Sequence, residues 1–321
     1  MKLFINSLLI IMTLMAIYTP NLFFMWMFLE ISSMSFVIYL NINSIKTYSI
    51  LYFLISSMSS IMIIFSILTQ SYMLNFNYLL MFSIWLKLGL FPLNNWMNFM
   101  MKNINYYSLI PLITTMKIIP MLIFIFFIKF NFYIINMLII LTMPPIILSF
   151  NTSSYPMLLN YSSMYNMPLI LMFSYFNLNM MMIYLIMYMM ITIYISLMLN
   201  SCSVYYKNSL NLNMMNKNNF FFNLIMFSYA QLPPFSTFIM KWNLVNYIIK
   251  TNNNLILIMI LMIFFSLLMT FNYLNFNNNN YLMNNMKIGH KINIKKKMKF
   301  KFILNISLIN LMIMFIYIFM E

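Results

Sequence analysis

Long apolar runs, separated by short clusters of asparagine, proline and lysine, make up most of this chain. Each run approaches the roughly 20 apolar residues that a helix needs to cross the hydrocarbon core of a bilayer. A helix also satisfies its own backbone hydrogen bonds in lipid, so the pattern predicts an all-α polytopic membrane protein. We expect about eleven transmembrane helices, at residues 3–19, 21–41, 47–70, 77–100, 108–128, 130–150, 154–175, 177–200, 220–249, 254–275 and 301–320.

Few residues in the chain are charged: the charged fraction is 6% and the hydrophobic fraction is 64%. A soluble domain has about 25% charged residues, so a soluble class of protein is excluded. The 41 methionines, the absence of Asp and the use of Lys for all 17 basic residues follow AT-rich codons, with ATA read as Met. This bias indicates an organelle genome and predicts the mitochondrial inner membrane as the location.

The distribution of lysines predicts the orientation of the chain. In an eleven-span chain, the N-terminus and the loops after even-numbered spans share one side, and they hold Lys2, Lys46, Lys102, Lys207, Lys217, Lys287, Lys291, Lys295, Lys296, Lys297, Lys299 and Lys301. The opposite loops hold only Lys129 and Lys250. Lysine-rich loops stay on the inner side, so we expect the N-terminus on the matrix side and the C-terminus on the intermembrane-space side. The run 287–301, with His290, predicts a surface for anionic lipid head groups and no nucleic-acid site.

The residue inventory limits the chemistry of the chain. One His (His290), one Cys (Cys202) and two carboxylates are too few for a zinc site or an iron–sulfur cluster. Two glycines exclude a Gly-rich phosphate loop. We therefore expect no metal and no cofactor to be bound by this chain.

Four ionisable side chains fall inside predicted spans: Glu30, Lys87, Lys117 and Lys241. Each such charge costs about 2.5 to 3.5 kcal/mol on insertion scales, and charges inside the membrane usually mark a path for ions or protons. A lysine near the end of a span could instead extend its ammonium to the interface, but Glu30 is too short to do so from the centre of its span. Burial disfavours the charged form and a nearby opposite charge favours it, so these groups are suited to gain and lose protons.

Helix breakers lie near the middle of two predicted spans, with Gly89 and Pro92 in span four and the pair Pro233 and Pro234 in span nine. Proline removes an internal hydrogen bond, so each segment is expected to be kinked or split. Broken segments at corresponding places in two halves indicate a transporter built from repeats, and an odd five-helix offset inverts the second copy. Prolines also occur in other spans, which leaves a chance arrangement open.

Two inverted five-helix repeats, with broken helices four and nine, and one further C-terminal helix would make a single transmembrane domain. Its parts are repeat one at about 1–129, repeat two at about 130–275, a basic loop at about 276–300 and the C-terminal helix at about 301–320. Each broken span holds one buried lysine, Lys87 or Lys241, beside its irregular backbone. Lys117 lies in span five, which is expected to be unbroken.

Four separated stretches of the sequence carry a resemblance to a known family. They are Trp26-x-x-Leu29-Glu30 with Ser35-Phe36, Leu86-Lys87-x-Gly89-x-x-Pro92 with Trp96, Lys117-Ile118-x-Pro120, and Leu232-Pro233-Pro234-Phe235 with Phe238 and Lys241-Trp242. In these stretches the chain resembles the antiporter-like membrane subunits of respiratory complex I, and among them the family of mitochondrially encoded NADH dehydrogenase (ubiquinone) subunit 2. The resemblance implies a proton-translocating membrane-arm subunit of NADH:ubiquinone oxidoreductase.

The resemblance also implies partners and residue roles. NADH, FMN, iron–sulfur clusters and ubiquinone are expected in other subunits, and the expected partners are other membrane-arm subunits and lipids, including anionic lipids. Glu30 resembles the glutamate of the family, and Lys87 resembles the broken-helix lysine that pairs with it. Lys117 resembles the central connecting lysine, and Lys241 resembles the lysine of the second broken helix.

A possible polar relay lies at Ser162, Ser163, Tyr165 and Asn166. This segment resembles the S-S-x-x-H segment of the family, and here Asn166 stands in place of the histidine. An amide cannot titrate, so proton transfer at that point would need water or Tyr165. Thr237 likewise stands where the family usually has glycine after its proline pair, which leaves the shape of that break open.

Two other functions use the same buried charges. The first is a stand-alone cation/proton antiporter, which the lack of a second buried acidic ligand disfavours because hard cations bind several oxygen ligands. The second is a structural membrane-arm spacer, since ion pairs can fix helix register without transporting anything.

Overall fold

The computed structural model describes residues 2–43, 46–69, 76–128, 132–202, 204–206, 225–232, 235–251 and 256–284. Across those ranges, α-helix is nearly the whole of the regular structure, with one isolated bridge between Ser154 and Tyr206. The helices are α1 (Lys2–Tyr18), α2 (Leu22–Ile42), α3 (Lys46–Thr69), α4 (Phe76–Leu88), α5 (Asn95–Asn103), α6 (Tyr106–Ile113), α7 (Thr115–Phe127), α8 (Phe132–Phe150), α9 (Tyr155–Phe176), α10 (Leu178–Cys202), α11 (Ser236–Thr251) and α12 (Ile256–Asn284).

Within the described residues, five helical stretches are long and apolar enough to cross a membrane: Leu22–Ile42, Lys46–Thr69, Tyr106–Phe127, Tyr133–Phe150 and Leu178–Ser201. Shorter apolar helices cover Phe4–Tyr18, Tyr78–Leu88 and Ile260–Asn275. The helical, multi-pass character of the chain is confirmed, and the count of eleven spans stays a prediction. The predicted C-terminal helix at 301–320 lies outside the described residues. Helix α12 continues to Asn284, past the predicted end of its span at residue 275, so the described start of the predicted basic loop is helical.

The chain divides into two compact units, Met1–Leu141 and Thr142–Glu321. In the first unit, consecutive helices pack on one another from α1 to α4. Helix α7 packs against α1, α2, α4 and α6, and for this reason most of its side chains are buried by other helices. A side chain on α7 is therefore positioned in the interior of the first unit.

Helix α3 turns a face of serines toward its neighbours in the first unit. Ser56, Ser59 and Ser66 are buried, and each hydroxyl donates to the backbone carbonyl three residues earlier. Small residues of this kind let helix backbones approach closely in a membrane protein. Helix α3 can thus pack closely against α2 and α4, the two helices that carry Glu30 and Lys87.

In the second unit, α9 is almost entirely enclosed, with buried side chains from Tyr155 to Phe173. Helix α10 packs against α9 and α11, and α11 also packs against α12. On α12, the buried Asn272 amide donates to the Ser149 hydroxyl and to the Ile146 carbonyl of α8. Buried polar groups must find partners, and these bonds fix α12 against the end of α8.

Candidate functional site

Helix α4 ends inside its predicted span, and a glycine makes this ending possible. The Leu90 amide donates to the Trp85 carbonyl at 3.1 Å, and the Gly89 amide donates to the Leu86 carbonyl at 3.3 Å. These two bonds form a Schellman motif, in which the residue after the helix adopts a left-handed conformation. Gly89 has φ of +64°, a conformation that glycine adopts without a side-chain clash. Pro92 follows in the turn before α5, so the break spans the whole segment from Gly89 to Asn94.

Lys87 lies in the last turn of α4, directly before this break, and faces Glu30 on α2. The Lys87 ammonium and Glu30 Oε2 are 3.9 Å apart. The Lys87 side chain is 6% exposed and the Glu30 side chain is 24% exposed, so the pair is largely removed from solvent. Neither of these two atoms makes a hydrogen bond to any described residue. The contact is therefore an ion pair without a hydrogen bond between its two groups. The negative end of the α4 dipole also favours the Lys87 ammonium.

The span that carries Lys117 is interrupted at Thr114, although the sequence predicted it to be unbroken. Thr114 has φ of −104° and ψ of −86°, and it separates α6 from α7. The Thr114 and Thr115 hydroxyls bond back to carbonyls four residues earlier, which bends helices. Pro111 lies inside α6 and Pro120 lies inside α7, and each removes one internal hydrogen bond.

Lys117 follows this interruption by three residues and is one of the most deeply buried side chains of the first unit, with 2% exposure. Its backbone amide donates to the Thr114 carbonyl at 3.1 Å. Helix α7 contacts both α2, which carries Glu30, and α4, which carries Lys87. In the first unit, Glu30 and Lys87 therefore lie on two helices that both pack against the helix of Lys117, and each of the two lysines lies beside an irregular stretch of backbone.

Lys241 lies on α11 in the second unit. Its ammonium donates a hydrogen bond to the Tyr165 hydroxyl of α9 at 3.1 Å. Tyr165 is buried, so the phenol gives the ammonium a polar partner away from solvent. A lysine and a phenol in contact can exchange a proton, which makes this pair a candidate transfer site.

Asn166, the neighbour of Tyr165, is held by several hydrogen bonds. Its side-chain amide donates to the Ser162 carbonyl at 3.0 Å. Its side-chain oxygen accepts from the Tyr184 hydroxyl at 3.0 Å and from the Gln231 amide at 3.0 Å. Sequence analysis singled out Asn166 but missed Tyr184 and Gln231. The available signal was Gln231 itself, an amide in an apolar stretch just before the proline pair.

The serines of the predicted relay are buried on the same helix as Asn166. The Ser162 hydroxyl is in hydrogen-bond contact with the Tyr229 hydroxyl and also donates to the Leu159 carbonyl. The Ser163 hydroxyl donates to the Asn160 carbonyl at 2.7 Å. Ser162 thus connects α9 to the segment that precedes the predicted break of span nine.

The predicted break of span nine lies between a short helical segment at 225–229 and the start of α11 at Ser236. Pro233 and Pro234 themselves lie outside the described residues. Across this interval, the Thr237 hydroxyl donates to the Ser228 carbonyl at 2.8 Å. A carbonyl near the end of the first segment thus finds its partner on α11, which ties the two segments together.

No metal site accompanies these charges in the part of the chain that the structure describes, where no group of three His, Cys, Asp or Glu side chains could hold a metal ion. The observed arrangement consists of lysines and one carboxylate beside interrupted helices, with phenols and amides around Lys241. Such groups can bind, hold and release protons in an apolar interior.

Interrupted helices beside buried charges are common in multi-pass helical membrane proteins that move ions or substrates. Solved structures share the fold. A chain of respiratory complex I from Thermus thermophilus with bound Aureothin aligns with a TM-score of 0.77 at 14% identity, over 92% of this chain and 73% of that chain. A chain of the Mrp complex from Dietzia sp. DQ12-45-1b aligns with a TM-score of 0.73 at 14% identity, over 85% of this chain and 59% of that chain. This protein therefore shares its helical fold with a chain in each of these two complexes.

Sequence relatives define the family more narrowly, although no family model matches the chain. NADH-ubiquinone oxidoreductase chain 2 of Anopheles gambiae is 28% identical over 313 residues, which cover 89% of this chain and 91% of the relative. The protein of the same name from Artemia franciscana is 30% identical over 224 residues, covering 68% of this chain and 71% of the relative. The chain belongs to the NADH-ubiquinone oxidoreductase chain 2 family, and the resemblance inferred from its motifs is confirmed.

Proposed function

We propose that this chain is a proton-translocating membrane-arm subunit of NADH:ubiquinone oxidoreductase. The observation that carries the proposal is the Glu30–Lys87 ion pair, 3.9 Å long, at the point where α4 is interrupted. A purely structural pair gains little from irregular backbone beside it, whereas a site that gains and loses protons needs polar groups that water can reach. Family membership supplies the reaction to which the site would be coupled.

The proposed mechanism begins with a change in the strength of the Glu30–Lys87 contact. Two unit charges 3.9 Å apart attract by about 4 kcal/mol at the effective dielectric constant of about 20 that suits partly buried pairs. Widening the pair in one state of the complex would withdraw much of this energy from Lys87. Because α7 packs against both α2 and α4, Lys117 would experience the altered charges. Proton transfer from Lys117 toward Lys241 is the next step of the hypothesis.

The wider setting is part of the proposal. The chain would lie in the mitochondrial inner membrane, with its N-terminus on the matrix side and its C-terminus on the intermembrane-space side, as the lysine distribution predicts. NADH, FMN, the iron–sulfur clusters and ubiquinone would bind other subunits. The partners would be other membrane-arm subunits and lipids, including anionic lipids. The two inverted repeats also remain a hypothesis, motivated by the order of the interrupted spans.

Replacing Lys117 with Met tests the proposed function. The variant keeps the length and apolar stem of the side chain but removes its protonation site, so proton translocation by this subunit should be lost while assembly and NADH oxidation persist. Complex containing the variant chain is reconstituted in liposomes, and protons moved per electron are measured. Lys102→Met, at an exposed position of α5, is the matched control and should behave as the native complex. A native proton-to-electron ratio in assembled Lys117→Met complex would refute the proposal.

The same liposomes separate the two alternatives. A structural spacer predicts that Lys117→Met changes thermal stability and leaves the proton-to-electron ratio unchanged. A stand-alone cation/proton antiporter predicts that the isolated chain exchanges protons for sodium across the bilayer without any electron transfer. Sodium-driven exchange by the isolated chain would favour the antiporter over the complex I subunit.

A further inference from the structure

Gln231 has an unusual backbone conformation. Among the described residues, it is the residue other than glycine with a positive φ, at 59°. This left-handed region is unfavourable for a side chain with a Cβ atom, and glutamine has no special tolerance for it. Gln231 follows the helical segment at 225–229, and its backbone amide donates to the Ser228 carbonyl at 3.2 Å. The Leu232 amide also donates to the Phe227 carbonyl at 3.3 Å, so backbone bonds end this segment as they end α4, and the Gln231 side chain adds contacts of its own.

The Gln231 side chain is 6% exposed and closes a ring of three hydrogen bonds. Its amide nitrogen donates to Asn166 Oδ1 at 3.0 Å and to the Tyr184 hydroxyl at 3.1 Å. The Tyr184 hydroxyl in turn donates to Asn166 Oδ1 at 3.0 Å. The ring joins three separate elements, because Asn166 lies on α9, Tyr184 lies on α10 and Gln231 lies before α11.

Each hydrogen bond that closes this ring has an assigned donor. Gln231 uses both amide protons, Tyr184 uses its hydroxyl proton, and the Asn166 amide donates to the Ser162 carbonyl. Carboxamides do not titrate near neutral pH, so neither amide can accept a proton and pass it on. A ring whose donors are committed and whose two amides cannot titrate is suited to hold three elements in register, and a proton on the Tyr184 hydroxyl has no titratable acceptor within the ring.

The register that the ring holds is the one that brings Lys241 to Tyr165. Tyr165 is the neighbour of Asn166 on α9, and its hydroxyl accepts the hydrogen bond from Lys241. On the other side, the Thr237 hydroxyl of α11 is bonded to the Ser228 carbonyl, three residues before Gln231. Gln231 therefore links α9 to the segment to which α11 is hydrogen-bonded.

We propose that Gln231 is a positioning residue for proton translocation: its amide locks the segment before α11 to Asn166 and Tyr184, and this keeps the Lys241 ammonium on the Tyr165 hydroxyl. The inference rests on the proposed function, since it assigns Gln231 to the same lysine. In this arrangement protons in the second unit move through Lys241 and Tyr165, and the Asn166 ring stays outside the path.

Gln231→Gly separates positioning from backbone fit. Glycine adopts a positive φ freely, so a residue needed only for its backbone should be replaced without loss. Positioning instead predicts that assembly, NADH oxidation and the KM for quinone stay native while protons moved per electron fall. This subunit's share of the protons moved per electron is defined as the part that is lost in Lys241→Met. Because two buried hydrogen bonds shift a conformational equilibrium by about tenfold or more, Gln231→Gly should remove at least about half of that share.

Two further variants make the test specific to the ring. Gln231→Glu keeps the shape but loses the donors as a carboxylate, and it should lower the ratio as Gln231→Gly does. Tyr184→Phe removes the same ring from α10, so the double variant Gln231→Gly/Tyr184→Phe should lose no more than the worse single variant. A native ratio in Gln231→Gly or Gln231→Glu, or additive losses in the double variant, would overturn the inference. If Lys241→Met itself left the ratio native, the proposed function would fail instead.

Discussion

Removing one charge of the Glu30–Lys87 pair should destabilise the first unit more than removing both. In Glu30→Gln or Lys87→Met, the remaining charged group keeps its buried position without its partner. An isolated charge in an apolar interior is more costly than a neutral pair of similar volume. In the double variant Glu30→Gln/Lys87→Met no charge remains, so part of the lost stability should return.

The expected magnitude follows from the geometry of the pair. At 3.9 Å the attraction is about 4 kcal/mol with an effective dielectric constant of about 20. The Glu30 side chain keeps 24% exposure, and solvent screening reduces the attraction to about 2 to 3 kcal/mol. For a chain of this size, a loss of that order should lower a thermal midpoint by about 5 °C.

The measurement is the temperature at which half of the assembled complex releases this subunit, followed by native electrophoresis after a heating series. Lys46→Met serves as the matched control, because the Lys46 side chain is exposed at the start of α3. Its midpoint should stay within about 1 °C of the native complex, since exposed charges contribute little. The double variant should recover at least about half of the midpoint lost by the worse single variant.

Two results would refute this reasoning. The first is a midpoint in Glu30→Gln and Lys87→Met no lower than in Lys46→Met, which would mean that the 3.9 Å contact contributes nothing. The second is a double variant that loses the sum of the two single losses, because independent sites add and interacting charges do not.

Two other substitutions test local features of the site. Gly89→Ala places a Cβ atom at φ of +64° and 3.1 Å from Met97 Cβ, so it should cost about 1 to 2 kcal/mol and lower the same thermal midpoint; an unchanged midpoint would contradict the described helix ending. Tyr165→Phe removes the hydroxyl that accepts from Lys241 and keeps the aromatic ring of residue 165. The assembled complex should therefore translocate protons more slowly in liposomes at an unchanged NADH oxidation rate. A native translocation rate in that variant would exclude Tyr165 from the path.

The sequence identified the ionisable residues of the candidate site because charge is expensive in an apolar chain. Glu30, Lys87, Lys117 and Lys241 stand out against long apolar runs, so their positions could be found without any contact information. Glycine and proline likewise indicated the interruption after Lys87, since each acts on the backbone through its own covalent structure. The interruption at Thr114 was missed, because the hydroxyl bonds of Thr114 and Thr115 depend on a local conformation that many threonines in helices do not adopt.

The hydrogen-bonded ring at Asn166 also could not be predicted from the sequence. Asn166 was recognised as a departure from the family pattern, and the expected consequence was a gap in a proton relay. Its partners, Tyr184 and Gln231, come from different elements, and their meeting depends on how α9, α10 and the segment before α11 pack. Neither helical periodicity nor composition carries information about such contacts.

The amino-acid sequence by itself determined that this protein is a multi-pass helical membrane protein, which side chains could carry protons, and to which family the chain belongs. Hydropathy, charge and motifs are properties of single positions or short stretches, and they persist in any arrangement of the helices. Only the tertiary structure decided that Lys87 faces Glu30 at 3.9 Å and that Lys241 donates to Tyr165. Ion pairs and hydrogen bonds form within a few ångströms, and that distance between residues far apart in the chain is set by helix packing alone.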